Sequence, residues 1–103
     1  MKKALLVCSF GMSTSFLTKK VNDLAAEHNV PITFFAKSEN ALEGELDSVD
    51  CILIGPQLAY MEESILQRVN GKVPVEKIDP AVFGRMNAAA ILKQAVHMLR
   101  ESK

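Results

Sequence analysis

The sequence has no excess charge of either sign: twelve Lys and Arg balance twelve Asp and Glu. A nucleic-acid binder working through bulk charge is usually basic, so the balance argues against that class, though not against a local patch. Long apolar runs are also missing. No stretch approaches the roughly 18–20 apolar residues of a membrane-spanning helix. "MKKALLVCSF" has a basic start, but only about five apolar residues precede its cysteine and no A-x-A-type site follows. No secretory leader is therefore expected, and the cytoplasm is the expected compartment. Cysteine is scarce. Cys8 and Cys51 form no C-x-x-C pair, and no histidine lies at zinc-ligand spacing, so neither a metal nor a cofactor is expected. Both should be reduced thiols. Low-complexity segments, internal repeats and linkers are absent.

What is there suits one folded domain over residues 1–103, 49% hydrophobic and 23% charged. "KALLVC", residues 3–8, reads as a buried strand. Ser13 to about His28 reads as a helix with Phe16, Leu17, Val21, Leu24 and Ala25 on its apolar face. The sequence before Pro31 should end it. "ITFFAK", 32–37, is a strand by its β-branched and aromatic content. A short acidic helix over about 39–47 follows, with Ser38 as its candidate cap. "CILIG", 51–55, is a second apolar strand, broken by Gly55-Pro56. A helix over 58–69 should bury Leu58, Ile65, Leu66 and Val69, with Gly71 closing it. "VPVEKI", 73–78, is a fourth strand, and Pro74 assigns it to an edge. Asp79-Pro80 pairs an N-cap with proline at the first helical position. A last helix runs from about Asn87 to Glu101.

This β-α alternation predicts an α/β fold: a doubly wound, three-layer sandwich around a four-stranded parallel sheet. Strands 1 and 3 are the most apolar and should be central, giving the order 2-1-3-4. Open sheets of this kind bind ligands at the carboxyl ends of the strands, where the winding reverses. Cys8 ends strand 1 there, with "GPQ", 55–57, beside it.

"CSFGMSTS" carries the chemistry. Gly11 lets the chain turn tightly. The segment feeds a helix N-terminus, where backbone N–H groups and the helix dipole favour an anion. Ser9, Ser13, Thr14 and Ser15 add hydroxyl donors. Such a cradle should lower the pKa of a thiol at its centre and give a nucleophilic thiolate. Cys8 would then attack a phosphoryl group while the loop holds its oxygens. In the competing reading, Cys8 is a buried structural cysteine and "GMSTS" an ordinary strand-to-helix loop. A tyrosine phosphatase needs Cys, five residues, Arg, then Ser or Thr. From Cys8 that count puts Thr14 at the arginine position, followed by Ser15. The spacing of a low-molecular-weight phosphatase P-loop survives, but the guanidinium that stabilises hydrolysis does not. A neutral loop suits a carrier that passes its phosphoryl group on. Asp79 is placed like a phosphatase's general acid, but its helix-start role is sufficient.

"LLVCSFGMSTS" resembles the active-site segment of the enzyme IIB components of the lactose/cellobiose class in the bacterial sugar phosphotransferase system. "CILIGPQLAYM", the length and the four β-α units extend the resemblance over the chain. The resemblance implies a phosphohistidine–sugar phosphotransferase. Enzyme IIA donates a phosphoryl group to Cys8, which becomes a phosphocysteine. Cys8 then passes it to a sugar, usually a β-linked disaccharide, entering through the membrane-embedded enzyme IIC. The implied phosphate site is Ser9, Phe10, Gly11, Met12, Ser13, Thr14 and Ser15. Phe10 is bulky for this loop and bears on how partners fit around it. The alternatives left open are a phosphatase-like hydrolase and a non-catalytic regulatory module.

Other residues have plainer readings. His28 should sit at a helix end and His97 on a solvated face, neither catalytic. Cys51 starts strand 3, about four residues or on the order of 13 Å from Cys8, too far for a disulfide. Glu39, Glu43, Glu45, Asp47 and Asp50 form either a solvated helix face or a docking site. Phe10, Met12, Leu58, Tyr60 and Met61 either rim the site for partner proteins or tuck into the core. Gln57 is placed to bond the loop or the phosphoryl group.

Overall fold

The computed structural model of the chain describes residues 2–8 and 12–101. Its four strands are β1 (Lys2–Val7), β2 (Ile32–Lys37), β3 (Cys51–Ile54) and β4 (Val75–Lys77). All pair in parallel, in the order β2-β1-β3-β4. The two most apolar strands are thus the inner ones. Every residue of β3 is buried, and so are the last four of β1.

The helices are α1 (Met12–Glu27), α2 (Leu42–Glu45), α3 (Glu62–Val69), α4 (Pro80–Gly84) and α5 (Ala88–Glu101). Strand alternation sends Ala4, Leu6, Cys51 and Leu53 to one face of the sheet. There they meet Leu17, Val21 and Ala25 of α1, Phe83 of α4, and Ile91, Ala95 and Met98 of α5. Leu5, Val7, Ile52 and Ile54 go to the other face, against Leu42 of α2 and Ile65 and Val69 of α3. Three layers and two apolar cores result, as the alternation predicts.

Local details differ from the sequence reading. Phe16 is 60% exposed and Leu66 46%, so neither belongs to the core. The stripe of α1 that meets the sheet is Thr14, Leu17, Thr18, Val21 and Ala25, with both threonines buried. The Thr18 hydroxyl donates to the carbonyls of Thr14 (3.1 Å) and Ser15 (2.9 Å), which makes it tolerable there. A residue of left-handed φ, Asn29, follows α1 two positions past its end. The acidic segment opens as a 3-10 turn, Glu39–Ala41, before α2, and Ser38 makes no side-chain cap bond. A second 3-10 turn, Pro56–Met61, precedes α3. That helix closes through Asn70 and Gly71, both at positive φ. β4 is shorter than expected, because Pro74 has no N–H for the ladder. The Asp79 carboxylate accepts from the Ala81 N–H at 2.8 Å, capping α4 as expected.

The acidic stretch is neither bare nor free. Arg68 of α3 donates to the carboxylates of Glu39 and Glu43 and to the Glu39 carbonyl. Lys72 pairs with Asp47 at 3.0 Å, and the Lys3 N–H donates to Asp50 at 2.8 Å. The guanidinium holds the exposed Glu43 carboxyl down to about 2.

Candidate functional site

Cys8 lies one residue past β1 and is 2% exposed. The ladder continues past the strand ends on both sides of it. The Cys8 N–H donates to the Lys37 carbonyl at 3.2 Å, on the β2 side. The Val7 carbonyl accepts from the Gly55 N–H at 2.8 Å, on the β3 side. The thiol residue is therefore pinned at the point where the winding reverses, as the topology requires.

The loop residues Ser9, Phe10 and Gly11 lie outside the described residues. From Met12 the backbone is already helical, one residue earlier than expected, so Ser13, Thr14 and Ser15 belong to the first turn of α1. Thr14 is 3% exposed, and its hydroxyl stands near enough to the Cys8 thiol to pull its pKa down. Ser15 is exposed. The residue at the arginine position of the phosphatase spacing is thus the one that meets the thiol.

The electrostatics correct one expectation. Burial pushes the Cys8 thiol above its ordinary value, and the Thr14 hydroxyl opposes that without cancelling it. Among the described residues, the balance of effects on Cys8 favours the protonated thiol. The physical reason is that no cation is in the first turn of α1 or among the causes acting on Cys8, so a neutral hydroxyl alone works against desolvation.

Gln57 comes to the same place. Gly55 has φ −63° and ψ 150°, a backbone any residue adopts. A Cβ on it would stand 2.9 Å from the Gln57 Oε1, 3.1 Å from the Cys8 Cβ and 3.4 Å from the Val7 carbonyl oxygen. The nearest of these is the movable end of the Gln57 side chain and the next is the fixed Cys8 Cβ, so a side chain at position 55 would displace the Gln57 carboxamide and crowd Cys8. Leu58 is buried and Met61 is half-buried against the α2/α3 core, so of the two readings left open both take the core one. Tyr60 stays 82% exposed. Sequence reasoning missed Phe16 as a surface residue near the start of α1.

The remaining candidates lie elsewhere. His28 and His97 are exposed and line a groove between α1 and α5. His28 is a whole helix, roughly 24 Å at 1.5 Å per residue, from the first turn of α1. Cys51 is opposite Ala4 in the register, four residues back from Cys8, and both cysteines are free. Burial, with Asp50 and then Glu76 adding, pushes Cys51 up to about 12, which makes it inert. Among the described residues, no group of three or more His, Cys, Asp or Glu is placed to hold a metal. No described helix is long and apolar enough to cross a membrane.

Residues 3–94 match the family model of the phosphotransferase system lactose/cellobiose-specific IIB subunit. The chain belongs to that family. It is 29% identical over 100 residues to the oligo-beta-mannoside-specific EIIB component of Bacillus subtilis, spanning 96% of this chain and 97% of the relative. It is 31% identical over 104 residues to the galactose-specific EIIB component of Lactococcus lactis subsp. cremoris, spanning 95% and 96%. The solution structure of a cellobiose-specific phosphotransferase IIB component from Borrelia burgdorferi superposes with a TM-score of 0.84 at 29% identity, over 99% of this chain and 94% of that one. A lactose-specific IIB domain from Streptococcus pneumoniae, 14% identical, shares the fold with a TM-score of 0.77, over 94% and 96%. The chain is thus a sugar-specific IIB component of the lactose/cellobiose type, a phosphotransferase-system protein of sugar transport.

Proposed function

We propose that residues 1–103 act as one cytoplasmic phosphoryl carrier in which Cys8 is the nucleophile. The observation that carries this reading is the placement of a buried thiol at the sheet's reversal point, beside the Thr14 hydroxyl of a helix's first turn. Membership of the IIB family supplies the partners: an enzyme IIA donor and a membrane-embedded enzyme IIC. The names of the relatives, which include cellobiose and oligo-beta-mannoside, make a β-linked disaccharide the favoured acceptor.

Cys8 loses its proton to solvent, and its sulfur attacks the phosphorus of a phosphohistidine. The S–P bond forms, the P–N bond breaks, and the imidazole nitrogen leaves with the electron pair. A sugar hydroxyl then attacks phosphorus. The O–P bond forms, the S–P bond breaks, its electron pair returns to Cys8, and the hydroxyl proton passes to a base in the membrane partner. Ser9, Phe10, Gly11, Met12, Ser13, Thr14 and Ser15 hold the phosphoryl oxygens through backbone and hydroxyl donors. Reversible transfer needs a phosphoenzyme close in free energy to its donor and acceptor, and a neutral cradle avoids the deep well that an arginine would make.

Mass spectrometry tests the reading directly. After incubation with phosphorylated enzyme IIA, one phosphoryl group is expected on Cys8, and none in Cys8→Ser. An unlabelled wild type, or label that survives the serine substitution, sinks it. Sustained hydrolysis of an aryl phosphate would favour a phosphatase instead.

A further inference from the structure

We propose that the Gln57 carboxamide is a phosphoryl-contacting group of this site, donating an amide N–H to a phosphoryl oxygen on Cys8, and that Gly55 is glycine to let it stand there. The inference rests on the carrier reading above.

Three observations converge. The backbone at Gly55 is ordinary extended chain, so its conformation does not call for glycine. A Cβ there would meet the Gln57 Oε1 at 2.9 Å, closer than real contacts allow, and the Cys8 Cβ at 3.1 Å. Gly44 and Gly84 would meet nothing within 4 Å, so the crowding is particular to this point. The Gln57 side chain, from the turn after β3, is therefore folded back over Gly55, on the side of that residue that faces Cys8. Among the described residues, the Gln57 carboxamide has no hydrogen-bond partner. Thr14 is the side chain among them that acts on the resting thiol, and the Gln57 amide stays uncommitted.

The chemistry of an amide fits the task. Its two N–H donors can each bind a phosphoryl oxygen. Being neutral, it adds about one ordinary hydrogen bond and not the stronger hold of a cation. It also approaches from the β3 side, while Thr14 approaches from α1. Donors contributed from two sides of Cys8 would orient a group that must be received and released along one line.

Two substitutions at this exposed residue test the proposal with two readouts. Partition of the phosphoryl group between enzyme IIA and Cys8 is measured at equilibrium, and Cys8 alkylation by iodoacetamide is followed against pH. Gln57→Leu should shift the partition about fivefold toward the donor, the loss of one neutral hydrogen bond, with the alkylation midpoint unchanged. Gln57→Glu sets a carboxylate beside the sulfur and should raise the alkylation midpoint by about half a unit or more. An unaltered partition in Gln57→Leu overturns the proposal. An unaltered midpoint in Gln57→Glu also overturns it, because the side chain would then not stand beside Cys8. The alkylation arm involves no phosphoryl chemistry. If the wild type takes no label from enzyme IIA, the carrier reading fails by itself, and the Gln57→Glu midpoint still decides where the carboxamide lies.

Discussion

Thr14 stands where a hydrolase of the same spacing would carry arginine, and its hydroxyl is the group that works against desolvation of the Cys8 thiol. The sign of its removal follows. Without the donor the thiol rises further, so less thiolate exists at any neutral pH. A hydrogen bond to a charged group contributes about 1.5–3 kcal/mol, which amounts to about one unit of pKa or more. Thr14→Val should therefore slow Cys8 alkylation at pH 7 about tenfold and move its pH midpoint upward. Equal rates in the two proteins would remove Thr14 from the chemistry. Cys8, the count to Thr14 and the place of Gln57 were all legible in the residues. The raised thiol was not, because a sequence shows donors near a cysteine but not the depth at which the cysteine is buried.

At the level of elements, β2 is an edge strand whose outward N–H and C=O groups invite another chain. Asn22 of α1 closes part of that edge. Its side-chain oxygen accepts from the Phe34 N–H at 2.7 Å, and its side-chain NH2 donates to the Phe34 carbonyl at 2.9 Å. Asn22→Leu should cost about 1–3 kcal/mol, two hydrogen bonds' worth, and promote self-association. Urea unfolding and sedimentation would check both effects, and a variant as stable and monodisperse as the parent would rule the role out. This contact shows why part of the fold could not be read from the chain: Asn22 looks like one more polar residue on a helix surface. The face of α1 was readable but misread. Choosing apolar letters favoured Phe16, whereas helical spacing selects 14, 17, 18, 21 and 25, two of them threonines, of which Thr18 bonds back to the carbonyls of Thr14 and Ser15. Leu66 misled in the same way beside Ile65 and Val69. The element order and strand order needed no such detail, because they follow from which strands are apolar throughout.

For the whole molecule, both cysteines link stability to alkaline pH. Cys51 is pushed up to about 12, from an ordinary value of 9.0, so the folded chain keeps its proton where the unfolded chain sheds it. The contribution is complete below about pH 9 and is lost as pH rises toward 12, by up to about 1.4 kcal/mol per unit. Cys8, also raised, acts in the same direction. The urea midpoint should fall steeply above pH 9, and Cys51→Ala should flatten that fall; parallel curves for the two proteins would refute the linkage. The strand order has a consequence in time as well. β2 docks on β1, β3 docks on the other edge of β1, and β4 docks on β3, so each strand joins one synthesised before it. Nothing in the sheet waits for a later strand. The α1 face is different: Ile91, Leu92, Ala95 and Met98 of α5 complete its core. A nascent chain could assemble its whole sheet on the ribosome and still show one greasy flank until its final helix emerges.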